Sequence, residues 1–565
     1  MSINRRTLLR AAGSVMGASL LSTFPARATV AESGIDVLLD EQGPPISPDL
    51  YGYLLENLGT AIYDGVWVGE RSGIPNIHGI RKALVDKLRE AKASVIRWPG
   101  GNFADYYDWE DGVGPRARRP RRTNFWADRI PPEVSGGPQR FDPNWFGTPE
   151  LIQLCKLTGG RPFLNANTRS LTPQSFFQWV EYCNSPAGST TLADARKADG
   201  SAEPHNVRYW GLGNEVWAAG GSMSVEEYVA QYKRFTSNVP RYGVDLAFIA
   251  CGAPPGKSLD WVREFLRRCR ETLVLTPIFA VSLHYYAAFF PNEFEPGDTM
   301  LKLQGKNLAD LLFDAGTFGP KEWYQILDST ARVEQLIEAH WQLITELGEQ
   351  RRVKLALDEW GTLYKPTERP HKADIRGREV TMRDALAAAL TLDVLNRHSG
   401  KVAVANFTGL INQEGGLFQA DGPHFCTTPV YHVFRMYSGH QGGSLVRTAF
   451  NVPRLAHEGT AGAESALGTL SGSASLRGNE LTLTVVNPHV SEPMETRINL
   501  RGGEVASAAV ASLAHSDIRA QNTFQDPDNV VPATTDLRLE GSTFRHTFPA
   551  ASVTAFTLVL KGRGS

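Results

Sequence analysis

From Leu50 onward the chain alternates short apolar runs with stretches of helical period. Eight runs read as strands: 50–56, 94–98, 161–166, 207–213, 246–251, 279–285, 353–359 and 402–409. Helical segments fall between them. The stretch 79–92 sets Ile80, Leu84, Leu88 and Ala91 on one stripe with Lys and Arg opposite, and 332–351 and 382–398 do likewise. Eight such units in roughly 390 residues predict an α/β fold of the (β/α)8 TIM-barrel type, enlarged by loop insertions, over 49–437. Beyond Tyr437 the helical period disappears. The runs 475–476, 480–487, 496–500, 505–513, 544–548 and 553–560 alternate or are β-branched, with turn residues between, which predicts a C-terminal all-β sandwich over 438–565. A short strand at 35–39, within the segment 29–48, is expected to join that sandwich.

Three strand-to-helix connections, 103–147, 287–329 and 362–380, are long, and on a barrel they would wall the active-site face. The first carries Tyr106, Tyr107, Trp109, Trp126 and Trp145, which suit sugar stacking, and the arginines Arg116, Arg118, Arg119, Arg121 and Arg122. A formal charge of -2 makes that cluster a solvated loop rather than a nucleic-acid patch, so no nucleic-acid partner is expected. An anionic substrate stays open. The N-terminus, with Arg5-Arg6 before apolar Ala11 to Phe24 and Ala26-Arg27-Ala28, resembles a bacterial twin-arginine signal. We expect a signal peptide over 1–28, and export to the periplasm or beyond. No later apolar run reaches membrane-spanning length, so no membrane partner is expected after cleavage. The five cysteines form no Cys-x-x-Cys pair, which argues against a zinc site or a disulfide scaffold.

Two strands end in carboxylates. Trp210-Gly211-Leu212-Gly213-Asn214-Glu215 closes the fourth, and Leu357-Asp358-Glu359-Trp360 the seventh. A nucleotide-loop reading of Gly211-x-Gly213 fails, because Val216 stands where a third glycine is needed. In a barrel, the C-terminal strand ends face one cavity, so Glu215 and Glu359 can converge there as the two carboxyls of a glycoside hydrolase. Glu56 and Asn57 after strand one, Asn102 after strand two, and His284 and Tyr286 after strand six add hydrogen-bonding groups on the same face. No His-x-His or His-Glu-x-x-His spacing is present, so no metal is expected.

These stretches resemble the glycoside hydrolase family 51 α-L-arabinofuranosidases. The resemblance rests on Ile96 to Phe103, continuing through Trp109 to Arg116, on Trp210 to Glu215, on Asp358-Glu359-Trp360, and on the late segments Thr428 to Phe434 and Asn522 to Pro527. It implies a retaining mechanism without cofactor, release of terminal arabinofuranosyl residues from an arabinose-containing glycan, and, in many members, a homo-hexamer. It implies Glu215 as acid/base and Glu359 as nucleophile. Asn214 would hold the sugar 2-hydroxyl, Glu56, Asn102 and Tyr286 would bind the furanoside or orient the nucleophile, and Trp109 would stand near the leaving group. Part of the arginine cluster belongs to the same pattern. The chain departs from it where Gly409 takes the expected glutamine position, with Gln413 out of register, and where Gly361 replaces an asparagine. Insertions at 122–144 and 287–329 alter two cleft walls. Another glycofuranoside, a β-glucan or a xylan as substrate on the same barrel, and a non-catalytic carbohydrate-binding protein, are the alternatives.

Overall fold

The computed structural model describes residues 34–130, 137–252, 258–271, 276–288, 312–365, 379–413, 415–457 and 465–562. The expected signal peptide lies outside the described residues, as do parts of the three long connections.

Eight parallel strands close into a barrel: Gly52–Leu54, Val95–Trp98, Arg161–Ala166, Tyr209–Leu212, Ala247–Ala250, Ala280–Ala287, Lys354–Thr362 and Val402–Thr408, the last pairing with the first. Each falls on a predicted run. Strand one is shorter than expected because Pro48–Tyr51 forms a 3-10 turn, capped by the Ser47 hydroxyl on the Asp49 N–H. The helix expected from residue 79 starts at Lys82, since Gly79 has φ +88° and Ile80–Arg81 pairs with Asn76–Ile77. In the barrel interior, Val95, Phe163, Tyr209, Ile249, Ala280, Ala356 and Val404 form one apolar layer drawn from strands two to eight. Side chains alternate along a strand, so two residues further on the same face presents Arg97, Asn165, Gly211, Ser282, Asp358 and Asn406. That second layer is polar and buried, and it is the floor of the cavity. The opposite faces of the strands contribute Ile96, Leu164, Trp210, Leu355 and Leu357 to the large core under the helices.

The remaining strands make one nine-stranded sheet in the order Ala533–Leu537, Val505–Ala514, Ser552–Leu560, Glu480–Asn487, Ser471–Arg477, Ser444–Asn451, Gly34–Pro45, Met494–Arg501 and Thr543–Phe548. The sheet folds back on itself. Phe544 and Phe548 on its last strand meet Phe556 on the third, with ring centroids 5.9 and 6.1 Å apart, around a separate apolar cluster. The N-terminal strand inserts between Ser444–Asn451, antiparallel, and Met494–Arg501, parallel. Two strands escaped the sequence pattern. Ser444–Asn451 buries one residue fully, and Ala533–Leu537 is a polar, exposed edge strand, so neither shows the alternation that marks a half-buried strand.

The helix Met382–Arg397, buried along nearly its whole length, lies between barrel and sheet. It starts on a capping box in which Thr381 and Asp384 bond each other's backbone N–H groups or those one residue away. From this helix Asp393 accepts hydrogen bonds from Ser473 Oγ (2.6 Å), Thr484 Oγ1 (2.7 Å) and Tyr437 Oη (2.9 Å), and burial pushes its carboxyl up to about 6. Asp393→Ala would leave three buried hydroxyls without their acceptor. We expect a loss of about 3 kcal/mol in stability, read as a lower melting temperature by calorimetry, with Asp393→Asn milder; an unchanged melting temperature in the alanine variant would contradict this role.

Candidate active site

Strand seven carries an extra residue. Its pairing with strand six runs Ser282↔Ala356 and then His284↔Glu359, and with strand eight Leu357↔Ala405 and then Trp360↔Phe407, so both ladders record a bulge between Ala356 and Trp360. A regular strand would turn Asp358 and Glu359 to opposite faces. Here both face the barrel interior: Asp358 accepts from the Ser282 hydroxyl and Glu359 meets Arg97 and Tyr286.

Arg97, 1% exposed, joins three strands. Its Nη1 donates to Glu359 Oε1 at 2.9 Å, its Nη2 to Asn214 Oδ1 at 2.8 Å, and its Nε stands 3.4 Å from Asp358 Oδ2. Tyr286 Oη donates to the other Glu359 oxygen at 2.8 Å and lies 3.0 Å from Thr408 Oγ1. Burial works against the Glu359 charge, but His284, Arg97 and Tyr286 outweigh it and hold the carboxyl below its usual range. The Gly101 backbone lies against this carboxylate: a Cβ there would stand 2.7 Å from Glu359 Oε1.

Glu215 leaves strand four through Gly213, φ +79°, and itself adopts φ +42°, a conformation that costs a non-glycine residue free energy and that clusters at functional sites. The turn is held from both sides. Asn214 N donates to buried Asp105 Oδ2 at 2.7 Å, and Ala218 N donates to the Glu215 carbonyl at 2.7 Å. Burial pushes the Asp105 carboxyl up to about 7 despite the N–H groups that it accepts from. The Asn214 amide donates to Asn102 Oδ1 at 3.2 Å, completing an Arg97–Asn214–Asn102 chain.

His284 stands between the two acids. Its Nδ1 is 3.2 Å from Glu215 Oε1 and 3.4 Å from Glu359 Oε2, and its Nε2 is 3.6 Å from Asp358 Oδ1. Burial disfavours the imidazolium, yet Glu359, the bond to Glu215 and Asp358 push the ring up to about 9. Oxygens of Glu215 and Glu359 and a His284 nitrogen all lie within 4.8 Å of one another, the one cluster of this kind among the described residues. A metal ion placed there would face the Arg97 guanidinium and an imidazolium, both already neutralising these acids. Glu56 accepts from the Phe103 N–H at 2.9 Å, and burial, with the charge of Glu359 adding to it, pushes its carboxyl up to about 7. Gln413, out of register in the sequence, lies beside it and donates to the Glu56 carbonyl at 3.4 Å.

The structure therefore gathers Glu56, Asn102, Asn214, Glu215, His284, Tyr286 and Glu359 at one end of the barrel. Trp109 is the exception. It is 2% exposed, stacks on Trp179 with centroids 6.2 Å apart and donates its indole N–H to Ser175, so it is core and offers no face to a leaving group. The exposed aromatics of that connection are Tyr106 and Trp145. Most of the arginine cluster is spent on ion pairs: Arg116 and Arg119 hold Glu150, which caps the helix Thr148–Thr158, and Arg122 holds Asp111. Residue patterns passed over Arg97 and Asp105 as site residues. A lone charge inside the apolar run Val95-Ile96-Arg97-Trp98 was the available signal for Arg97; Asp105, in a loop, had none.

A closed parallel barrel with two glutamates at the ends of strands four and seven, their oxygens within 4.8 Å, defines the class of barrel glycoside hydrolases. Comparison with known proteins narrows it. The α-L-arabinofuranosidase 1 domain matches residues 87–286, and the α-L-arabinofuranosidase C-terminal domain matches 358–552. The chain is 29% identical over 524 residues to an intracellular exo-α-L-arabinofuranosidase of Bacteroides ovatus, covering 92% of this chain and 94% of that one. An exo-α-(1→6)-L-arabinofuranosidase of Bifidobacterium longum is 27% identical over 554 residues, 93% of this chain and 97% of its own. The family 51 arabinofuranosidase structure from Xanthomonas axonopodis pv. citri superposes with a TM-score of 0.81 at 29% identity, over 93% of this chain and 100% of that one; the arabinose complex of the Thermotoga maritima α-L-arabinofuranosidase gives 0.77 at 27%, over 94% and 100%. The chain belongs to the glycoside hydrolase family 51 α-L-arabinofuranosidases.

Proposed function

We propose that the protein is an exported, retaining α-L-arabinofuranosidase that releases terminal α-L-arabinofuranosyl residues from arabinose-containing polysaccharides or oligosaccharides. The observation that carries the retaining reading is the closeness of Glu215 and Glu359. An inverting enzyme needs carboxyls about 6.5–9.5 Å apart to admit a water behind the sugar, and a retaining one about 5–5.5 Å. The arabinofuranoside reading is supported by the family and by the printed activities of the Bacteroides and Bifidobacterium relatives. Export is supported by Arg5-Arg6 and the apolar stretch after it, although the Bacteroides relative is described as intracellular.

In the first step Glu359, kept ionised by Arg97, His284 and Tyr286, attacks the anomeric carbon while Glu215 gives its proton to the departing glycosidic oxygen. The bond to the leaving group breaks as the bond to the Glu359 oxygen forms. Covalent capture removes the Glu359 charge. In the second step Glu215 takes a proton from water, whose oxygen displaces Glu359 and frees arabinose with its configuration kept. In this reading Asn214, whose amide bonds Arg97 and Asn102, holds the sugar 2-hydroxyl, and Glu56 and Asn102 bind the furanoside beside it.

Glu359→Ala and Glu215→Ala should each lower turnover of 4-nitrophenyl α-L-arabinofuranoside by about a thousandfold, and NMR should show the α anomer as the first product; near-normal turnover in either variant, or a first-formed β anomer, would sink the mechanism. Because Glu359 works ionised and Tyr286 helps hold its carboxyl low, activity is lost as pH falls through that pKa, and Tyr286→Phe should move the acid limb of kcat/KM to higher pH; an unmoved limb would remove the tyrosine from this role. Export predicts that protein recovered from outside the cytoplasm begins near Thr29 on N-terminal sequencing, whereas an intact Met1 terminus confined to the cytoplasm would overturn it.

A further inference from the structure

The connection after strand two contains one aromatic ring set beside the Glu215 turn. Tyr106 is 41% exposed at the end of the 3-10 turn Asn102–Tyr106. Its neighbour Asp105 is anchored to the Glu215 turn, accepting from the N–H groups of Asn214 (2.7 Å), just past strand four, and Thr168 (2.9 Å), after strand three. Phe125 lies against one part of the ring, with centroids 4.3 Å apart, and the Arg169 guanidinium sits over it at 4.1 Å. The Arg169 stem reaches the turn after Glu215: a Cβ on Gly221 would stand 3.8 Å from Arg169 Cγ.

Arg169 differs from the paired arginines of the neighbouring connection. It is exposed, and it forms no ion pair among the described residues, whereas Arg116, Arg119 and Arg122 each hold a carboxylate at 2.7–2.9 Å. Asp105, whose charge Arg169 feels, is fully buried with an N–H group on each oxygen. A guanidinium oriented by an aromatic ring, with its donors unclaimed by protein acids, suits a planar carboxylate from outside. Position gives the ligand its place in the reaction. The proton donor stands on the leaving-group side of the scissile bond, and Tyr106 and Arg169 flank the donor's turn.

We propose that Tyr106 and Arg169 form a leaving-group subsite that favours glycans carrying a carboxylate, such as a uronic acid unit, with the exposed edge and hydroxyl of the tyrosine against the sugar and Arg169 on the acid. The inference rests on Glu215 being the proton donor. It is tested with two arabinofuranosyl oligosaccharides of identical linkage, one with a neutral and one with a uronate-bearing leaving portion, and each kcat/KM is divided by that for 4-nitrophenyl α-L-arabinofuranoside. The wild type should favour the acidic substrate by about three- to tenfold at low salt and less at high salt. Arg169→Gln should erase that preference, and Tyr106→Ala should lower both oligosaccharide ratios. Equal ratios in the wild type, or a preference that survives Arg169→Gln, overturns the subsite. Calorimetric binding of the same two oligosaccharides to Glu359→Gln, which needs no turnover, gives the comparison independently. A chain that binds the acidic glycan through Arg169 without cleaving any arabinofuranoside would refute the catalytic reading and leave the subsite standing.

Discussion

The site depends on one buried cation. Arg97 is enclosed by protein, and a guanidinium in that setting persists only if carboxylates and hydrogen-bond acceptors replace its water. Asp358 and Glu359 supply the charge and Asn214 an acceptor, so a single side chain on strand two determines how strands four and seven present their ends. The dependence runs both ways. The arginine keeps Glu359 ionised, and the carboxylates keep the arginine charged against the burial that disfavours it.

Around that centre the barrel sorts its interior by depth. The apolar layer through Val95, Phe163, Tyr209, Ala356 and Val404 closes one end, and the polar layer above it turns the other end into a cavity whose groups are already oriented. His284 completes the electrostatics by sitting between Glu215 and Glu359, so that two acids and a third, Asp358, share two cations at close range. Preorganisation of this kind lets a charge change on Glu359 be felt at Glu215 without movement of either strand. The curled nine-stranded sheet is tied to the barrel through the buried helix Met382–Arg397, so the strand-seven side of the barrel is braced from outside.

Resemblance and structure part company at the cleft wall. A motif match expected Trp109 beside the leaving group, and its ring is packed into the core between Trp179 and Tyr182. The rings of that connection that do reach solvent are Tyr106, three positions earlier, and Trp145. Gln413 makes the converse case: misplaced in a linear register, it is brought to the Glu56 backbone by the loop after strand eight.

Much of this protein is legible in its residue order. Eight apolar runs with helical spacers, two of them ending in Glu215 and Glu359, imply a barrel and a pair of acids, because burial on both faces and termination in polar groups are properties of single strands that local pattern records. The all-β region and its borrowed N-terminal strand were visible for the same reason. What residue order could not express was register. A one-residue bulge in strand seven places Asp358 and Glu359 on the same side, and it exists only in the pairing of that strand with its two neighbours. Whether an aromatic faces the cleft or the core, which arginines find an acid, and how close two carboxylates approach are likewise set by contacts between segments far apart in the chain, and those only the tertiary structure decided.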